Sequence, residues 1–169
     1  MSKRISTQHF EQFIPNDVAW CLYYTLRDTL GWTDGIKNTR KASPYKIGTH
    51  PELDSIIFQS INKCFYGEGE ATILGVYINY YRDGNDHAPS HSHYKQKQCI
   101  ISLGATRTLI VGSKELQMKN GDIASFGSGS HSVPKDPQCT EGRISIAIFL
   151  NNSLLESANI FESDFKSKV

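Results

Sequence analysis

Residues 99–126, CIISLGATRTLIVGSKELQMKNGDIASF, decide the fold class of this chain. Within them, short runs rich in apolar and β-branched residues are separated by glycine or asparagine, which is typical of β-strands joined by turns. The Asn120-Gly121 pair between two of the runs is a strong signal for a tight turn. With two further runs of the same kind, the pattern predicts six short antiparallel strands, at residues 72–82, 99–103, 108–112, 115–119, 122–126 and 143–150.

The chain before residue 67 has the spacing of helices instead. After the polar start at Pro15-Asn16-Asp17, apolar residues recur at helical spacing as far as Gly31, which predicts a first helix. A second helix is predicted after Pro51, and the polar, basic residues 33–50 between the two predict an ordered loop or a short hairpin. Helices followed by a block of strands indicate an α+β fold, a double-stranded β-helix (jelly roll) with the N-terminal helices packed on one sheet.

The 169 residues suit a single domain over residues 1–169, with a core at 8–150 and a weakly patterned tail at 151–169. The 11% aromatic content and a net charge of +1 argue against a disordered tail protein. No run approaches the roughly 20 apolar residues that a membrane helix needs, and the N-terminus lacks the apolar stretch of a secretory signal. We therefore expect a monomer in the cytoplasm, or in the nucleus of a eukaryote, with no membrane partner and no secretion.

The charges are distributed unevenly along the chain. Residues 27–46 carry five basic and two acidic groups, residues 47–90 carry two and six, and residues 91–135 carry six and two. Two basic segments separated by an acidic one are compatible with a basic face for a polyanion, although alternating solvated loops produce the same pattern. The candidate nucleic-acid contacts in the two basic segments are Lys37, Arg40, Lys41, Lys95, Lys97 and Arg107.

Four of the six histidines lie in one part of the chain. His91 and His93 are two residues apart and would share one face of a strand, and His131 follows 40 residues after His91 in the loop GSGSHSVP. Such an H-x-H pair with one distant histidine predicts a metal site with three nitrogen ligands. The alternatives are a chance pair and, for His131, a histidine bonded within its own loop. For His87 we favour a supporting or capping role.

A second constellation of polar residues lies on two predicted strands. Arg143 shares a strand face with Ser145, opposite three isoleucines, so it points into the barrel if the isoleucines pack under the helices. A buried guanidinium is costly unless it binds an anion. Asn79 and Tyr81 share a face in GVYINYY. These four residues are a candidate carboxylate-binding set; an Arg143 that reaches solvent at the barrel mouth is the alternative.

Taken together, these motifs resemble the AlkB-type family of Fe(II)/2-oxoglutarate dioxygenases. The family pattern N-x-Y-x-x-G is matched at residues 79–84, its H-x-D by His91-Ser92-His93, and its S-φ-G, with φ apolar, at residues 102–104. Its distal histidine is matched by His131, and the first arginine of R-x-x-x-x-x-R by Arg143. The resemblance extends over residues 8–150, and the first helix with the basic loop is similar to the region with which this family holds a nucleotide.

The resemblance implies Fe(II) and O₂ as cofactor and oxidant, with 2-oxoglutarate as co-substrate. It implies His91 and His131 as iron ligands, and Asn79, Tyr81 and Arg143 as 2-oxoglutarate contacts. It further implies oxidation of a modified, N-alkylated base in DNA or RNA, with release of formaldehyde from an N-methyl group. The base would be flipped out of a duplex or already single-stranded.

The chain departs from the family pattern at two positions. His93 stands where the family has a ligand carboxylate, so we expect three imidazole ligands, a weaker hold on Fe(II) and more tolerance of Zn, Ni or Cu. Phe149 stands where the family has its second arginine. Two other functions therefore remain in view: a catalytically impaired relative that serves as a metal- or nucleic-acid-binding module, and an oxygenase for a protein or small molecule.

Overall fold

The computed structural model describes residues 5–68 and 71–151. Within these ranges the chain forms two α-helices, α1 (Asn16–Thr29) and α2 (Pro51–Phe65), and a short 3₁₀ turn at Ile36–Asn38. The strands are β1 (Gln8–Phe10), β2 (Thr33–Asp34), β3 (Lys41–Tyr45), β4 (Ile73–Tyr81), β5 (Ala88–His91), β6 (Gln96–Gly104), β7 (Arg107–Val111), β8 (Lys114–Met118), β9 (Ile123–Phe126), β10 (His131–Val133) and β11 (Arg143–Asn151).

The strands form two antiparallel sheets. The large sheet has the order β1-β9-β6-β11-β4-β3-β2, and the small sheet has the order β5-β10-β7-β8. Strands far apart in the chain are neighbours in both sheets, as in a jelly roll. The prediction of antiparallel sheets combined with two helices is confirmed.

Each of the six predicted strands forms, with ends shifted by up to three residues. The basic segment between the helices, for which a loop or a short hairpin was predicted, forms a hairpin. Thr33 of β2 pairs with Ala42 of β3, and β3 pairs with β4. The polar segment thus extends the large sheet. The unpredicted strands are two to five residues long, too short for a periodic pattern.

The predicted turn at Asn120-Gly121 forms but does not close a hairpin. It carries the chain from β8 in the small sheet to β9 in the large sheet. Gly121 has φ +88°, and a Cβ atom there would collide with the carbonyl oxygen of Ile14. The Asn120 side chain accepts a hydrogen bond from the Gly104 backbone at 2.8 Å. The turn therefore ties the two sheets to the start of α1.

The two faces of β11 lie in different cores. Ile144, Ile146 and Ile148 are fully buried on one face. They belong to one apolar cluster with Leu22 and Leu26 of α1 and Leu53 and Ile57 of α2. On the other face, Ala147 belongs to a cluster between the sheets with Ile100, Leu109, Val111 and Phe126. Arg143, which alternates with the isoleucines, therefore lies on the inner face of the large sheet.

Neither of the two α-helices in the described residues combines the length and apolar character needed to cross a membrane. Of the predicted tail, residues 151–169, Asn151 ends β11, and the other residues lie outside the described part of the chain.

Candidate metal centre

The structure brings the three predicted metal ligands together. His131 opens β10 and pairs directly with His91, the last residue of β5, and His93 follows two residues later. The candidate ligand atoms of the three histidines all lie within 4.8 Å of one another. The ring centroids of His91 and His131 are 4.3 Å apart, and those of His91 and His93 are 5.0 Å apart. This spacing suits one metal ion held by three imidazole nitrogens.

Hydrogen bonds orient two of the three rings. The Nδ1 atom of His91 lies 2.7 Å from the carbonyl oxygen of Pro89, and that of His131 lies 3.2 Å from the carbonyl oxygen of Gly129. Because a carbonyl only accepts, each Nδ1 carries the proton, and the Nε2 lone pair remains for a metal. His87 lies outside the cluster, where its backbone amide bonds the Thr39 carbonyl oxygen at 2.9 Å.

The electrostatics of the cluster favour neutral imidazoles. Burial lowers the pKa of His131 to about 4, and the neighbouring His91, His93 and Arg40 act in the same direction against the opposing bond to Gly129. Burial, together with His91, also lowers the pKa of His93. Metal binding requires deprotonated imidazoles, so both groups are in the ligand form at neutral pH. Imidazole suits Fe, Zn, Cu and Ni, and the donor set therefore fits iron without excluding its competitors.

Aromatic rings border the cluster on two sides. The Phe149 ring lies 4.7 Å from that of His93, and the Phe126 ring lies 4.8 Å from that of His131. Tyr77 packs edge-on against Phe149 at 5.8 Å and is itself 52% exposed. The metal centre is thus lined by apolar surface that continues outward to an exposed aromatic ring.

Arg143 is a buried cation with free hydrogen-bond donors. It is 1% exposed, and its Nε donates to Ser102 Oγ at 2.8 Å. Its Nη1 and Nη2 groups are buried and have no hydrogen-bond partner within residues 5–68 and 71–151. Burial lowers the pKa of Arg143 to about 10, so the guanidinium is still charged at neutral pH. Two unpartnered donors on one planar cation match the two oxygens of a carboxylate.

The other members of the predicted carboxylate-binding set lie beside Arg143. In the register of β11 and β4, Arg143 pairs with Tyr81 and Ser145 pairs with Asn79, so all four share the inner face. The Arg143 guanidinium lies over the Tyr81 ring at 5.3 Å. Asn79 Oδ1 accepts a hydrogen bond of 3.0 Å from Arg40 Nε. Arg40, predicted as a nucleic-acid contact, is therefore half-buried beside this set, a placement that its sequence surroundings did not indicate.

Comparison with solved structures identifies the fold. The chain is similar to a viral collagen prolyl hydroxylase of Paramecium bursaria Chlorella virus-1 solved with 2-oxoglutarate, at TM-score 0.64 and 10% identity over 86% of this chain and 94% of that one. A Trichoplax adhaerens prolyl hydroxylase matches with TM-score 0.61 and 12% identity, over 88% of this chain and 84% of that one. The α-ketoglutarate-dependent carbocyclase SnoK of nogalamycin biosynthesis matches with TM-score 0.65 and 8% identity, over 88% of this chain and 81% of that one. The fold is that of the 2OG-Fe(II) oxygenases. No model of a protein family matches the chain, and no curated protein sequence matches it significantly.

Within this oxygenase fold, Arg107 does not lie where the charge pattern predicted. Arg107 is 1% exposed, and its Nη groups donate to the carbonyl oxygens of Asp83, Asp86 and Pro134 at 3.0, 2.8 and 2.7 Å. The prediction of a nucleic-acid contact is wrong here, because the guanidinium is enclosed by backbone carbonyls. Arg107 begins a strand of mostly apolar residues. The charge count along the chain does not distinguish side chains that point into the interior from those that point to solvent.

Lys97 requires the same correction. Its side chain is 2% exposed, with Nζ 3.5 Å from a Glu68 carboxylate oxygen and 4.5 Å from the centroid of the Phe65 ring. Lys97 lies on β6, a central strand of the large sheet with residues buried on both faces, and cannot reach a phosphate backbone.

The remaining basic candidates lie at the surface. Lys37 and Lys95 are exposed, and Lys41 pairs with Asp34 at 2.6 Å. Their contact with nucleic acid stays a prediction. Sequence reasoning missed Gln98, a buried glutamine on the inner face of the oxygenase fold. The signal was a polar residue directly before the apolar run at 99–103, where the predicted strand began too late to include it.

Proposed function

We propose that this protein is an Fe(II)- and 2-oxoglutarate-dependent oxygenase. The observation that carries the proposal is Arg143, a buried guanidinium with two donor groups that have no partner among the described residues. It lies on the inner face of the large sheet, and the small sheet that packs against this face carries His91 and His131. Buried charges in proteins are paired or hydrogen-bonded, and an orphaned one indicates an anionic ligand that completes it. 2-Oxoglutarate has one carboxylate for Arg143 and, at its other end, a keto acid that binds metals.

The residues would divide the work as follows. His91, His93 and His131 hold the metal; Arg143 binds the distal carboxylate; Asn79, Tyr81 and Ser145 line the same end of the site. When bound, iron with 2-oxoglutarate and O₂ supplies an oxidant that converts a substrate C–H bond to C–OH, while 2-oxoglutarate becomes succinate and CO₂. The helices, whose apolar residues share a cluster with β11, would brace the outer face of the large sheet.

Three imidazoles give this site a distinct charge. A set of two histidines and one carboxylate is typical of non-haem iron oxygenases, and His93 replaces the carboxylate with a neutral ligand. The bound metal keeps its full positive charge, which favours the 2-oxoglutarate dianion but weakens selection for Fe(II). We therefore expect iron to compete with zinc, nickel and copper for the apo site.

For the substrate we propose an N-alkylated base in nucleic acid. The half-exposed Tyr77 packs on Phe149, which contacts His93, and offers a flat base an aromatic surface beside the metal centre. Lys37 and Lys41 lie on the segment between the helices, whose Arg40 bonds Asn79 in the site. Hydroxylation of an N-methyl group gives a hydroxymethyl product, which releases formaldehyde and the unmodified base.

A protein substrate is the second candidate. It is favoured by the similarity to prolyl hydroxylases, one of which was solved with a peptide fragment of hypoxia-inducible factor. The same aromatic surface would then receive a proline ring, and the basic side chains of the hairpin would have no role in binding.

Succinate formation separates these candidates. The Fe(II)-loaded protein is incubated with 2-oxoglutarate, O₂ and either a methylated single-stranded oligonucleotide, its unmethylated counterpart or a proline-rich peptide. Stimulation by the methylated strand, with release of formaldehyde, supports base oxidation, and stimulation by the peptide supports the second candidate. A protein that binds metal and nucleic acid but neither binds nor consumes 2-oxoglutarate would be a binding module, and the proposal would be wrong. Lys37→Glu is the matched surface variant: it weakens turnover of the oligonucleotide and leaves turnover of the peptide unchanged.

A further inference from the structure

Gln98 is, like Arg143, among the described residues that have a buried polar side-chain atom without a partner. In β6 it pairs with Phe149 of β11 on one side and with Phe126 of β9 on the other, so the three share the inner face of the large sheet. Gln98 is 1% exposed, and its Nε2 group is buried with no hydrogen-bond partner among the described residues. Buried amides in native proteins are nearly always hydrogen-bonded, so this donor lacks the acceptor that it requires.

The neighbours of Gln98 place it beside the metal centre. Phe149 contacts His93, and Phe126 contacts His131, with ring centroids 4.7 and 4.8 Å apart. The carboxamide therefore lies between the two aromatic residues that border the histidine cluster. Sheet geometry and these contacts orient it towards the interior in which a ligand of the metal would lie.

Gln98 and Arg143 lie at opposite ends of the same strand pair. Arg143 pairs with Gly104, and Phe149 pairs with Gln98, six residues further along β11. At the rise of a β-strand this separation is about 20 Å, enough for the Arg143 side chain, a five-carbon diacid and the metal in line. One unpartnered donor group thus lies at each end of the interior.

We infer that Gln98 is a positioning residue, whose Nε2–H donates a hydrogen bond to the metal-bound carboxylate of 2-oxoglutarate. This inference rests on the proposed function. In this arrangement Arg143 binds the distal carboxylate, and Gln98 fixes the rotation of the other carboxylate about the metal. No second arginine is then required in this part of the site, where the chain has Phe149.

Gln98→Leu tests the inference, because a role in binding 2-oxoglutarate and a role in stabilising the fold predict different results for this variant. A leucine has a similar volume and removes an unpartnered amide, so the free energy of unfolding in urea stays the same or rises. The affinity for 2-oxoglutarate, measured anaerobically by calorimetry on the Fe(II)-loaded protein, falls by about tenfold or more, as expected for a hydrogen bond to a charged group. The weak visible charge-transfer band of the complex shifts, because the carboxylate loses a hydrogen bond.

Two further variants complete the experiment. Gln98→Glu keeps the shape, replaces the donor with a negative charge, and lowers the affinity at least as much as Gln98→Leu. Gln117→Leu, at an exposed glutamine of β8 whose side chain donates to the Thr108 hydroxyl in β7, leaves both the affinity and the band unchanged.

The outcomes separate the inference from the proposed function. Wild-type affinity and an unshifted band in Gln98→Leu overturn the inference alone, as does a Gln98→Leu protein that unfolds more easily with unchanged affinity. A wild-type protein that neither binds 2-oxoglutarate nor shows the band overturns the proposed function, and the inference with it.

Discussion

Arg107 and Arg143 are the same residue type in nearly the same surroundings. Each begins a strand, each is 1% exposed, and the two guanidinium groups lie over the Tyr81 ring at 5.4 and 5.3 Å. They differ in their partners. The Nη groups of Arg107 donate to three backbone carbonyl oxygens, whereas neither Nη group of Arg143 has a partner in the part of the chain that the structure describes.

We interpret this difference as the one between a structural cation and the cation of the proposed binding site. The bonds of Arg107 hold the loop before β5 and the segment after β10, so the fold itself supplies partners for both of its Nη groups, and only its Nε is buried without one among the described residues. Among the described residues Arg143 donates to the Ser102 hydroxyl and lies beside the Tyr81 side chain, and neither group supplies the negative charge that a carboxylate would. Within the described residues, a buried cation that the fold leaves without partners for its Nη groups therefore supports the proposed binding site.

The largest expected effect is on the stability of a variant of Arg107, the structural cation. Arg107→Met removes the donors of three carbonyl oxygens in and around the interior, and we expect the free energy of unfolding to fall by about 3–5 kcal/mol. Urea denaturation followed by circular dichroism measures it. A loss below about 1 kcal/mol would show that these carbonyls find water instead, and the contrast with Arg143 would then disappear.

A charge introduced beside the histidine cluster should also need a partner of opposite charge. Positions 93 and 149, where the chain departs from the dioxygenase pattern, are in contact, with ring centroids 4.7 Å apart. His93→Asp alone puts a carboxylate against Phe149, and we expect it to destabilise the apo protein by about 2 kcal/mol. Adding Phe149→Arg supplies the counter-charge and recovers most of that loss.

A double-mutant cycle measures this coupling. We expect a favourable interaction of about 1–2 kcal/mol between the introduced carboxylate and the introduced guanidinium in the double variant His93→Asp/Phe149→Arg. Strictly additive effects would mean that the two departures arose independently and that the pair does not act as one unit.

Arg143→Met gives a smaller change in stability, of the opposite sign to that of Arg107→Met. Replacing an unpartnered buried cation with an apolar side chain should leave the free energy of unfolding unchanged or raise it by about 1 kcal/mol. The same urea titration provides the value. If the variant were instead less stable by several kcal/mol, Arg143 would be a structural residue like Arg107.

The smallest expected effect is the pH dependence of stability that Asp86 contributes, in the loop that Arg107 binds. Burial acts to raise the pKa of Asp86, but hydrogen bonds from Arg82 outweigh it, so the pKa lies below its usual value. The stabilisation is present above the unfolded pKa of about 3.9 and is lost as the pH falls through the lower folded value. Arg82 is half exposed, so we expect less than about 1 kcal/mol. Asp86→Asn should be less stable than wild type at pH 7 and equal to it at the acid end; a difference that persists there contradicts this assignment.

Local patterns predicted most of the fold. The two helices and six main strands follow from apolar periodicity, and the i, i+2 spacing of His91 and His93 predicted two of the three histidines of the candidate metal centre. His131 could be included because a loop of glycine and serine precedes it, but its pairing with His91 comes from sheet topology.

The distinction between the two arginines was not accessible in the same way. Arg107 and Arg143 both precede alternating apolar residues, and the partners of Arg107 lie 24, 21 and 27 residues away. The charge count assigned Arg107 and Lys97 to a basic face because it ignores which side of a strand faces the core. Long-range partners decide whether a charge is structural, binding or exposed, and no local pattern encodes them.

Anaerobic titration of 2-oxoglutarate into the Fe(II)-loaded protein tests the central claim most directly. The wild-type protein should bind one equivalent with a weak visible charge-transfer band, and Arg143→Met should bind at least about a hundredfold more weakly. Lys114→Met, which removes an exposed cation on β8, should bind like wild type. Equal affinity in the wild-type and Arg143→Met proteins would contradict the account, because the unpartnered guanidinium would then not be the anchor of the co-substrate.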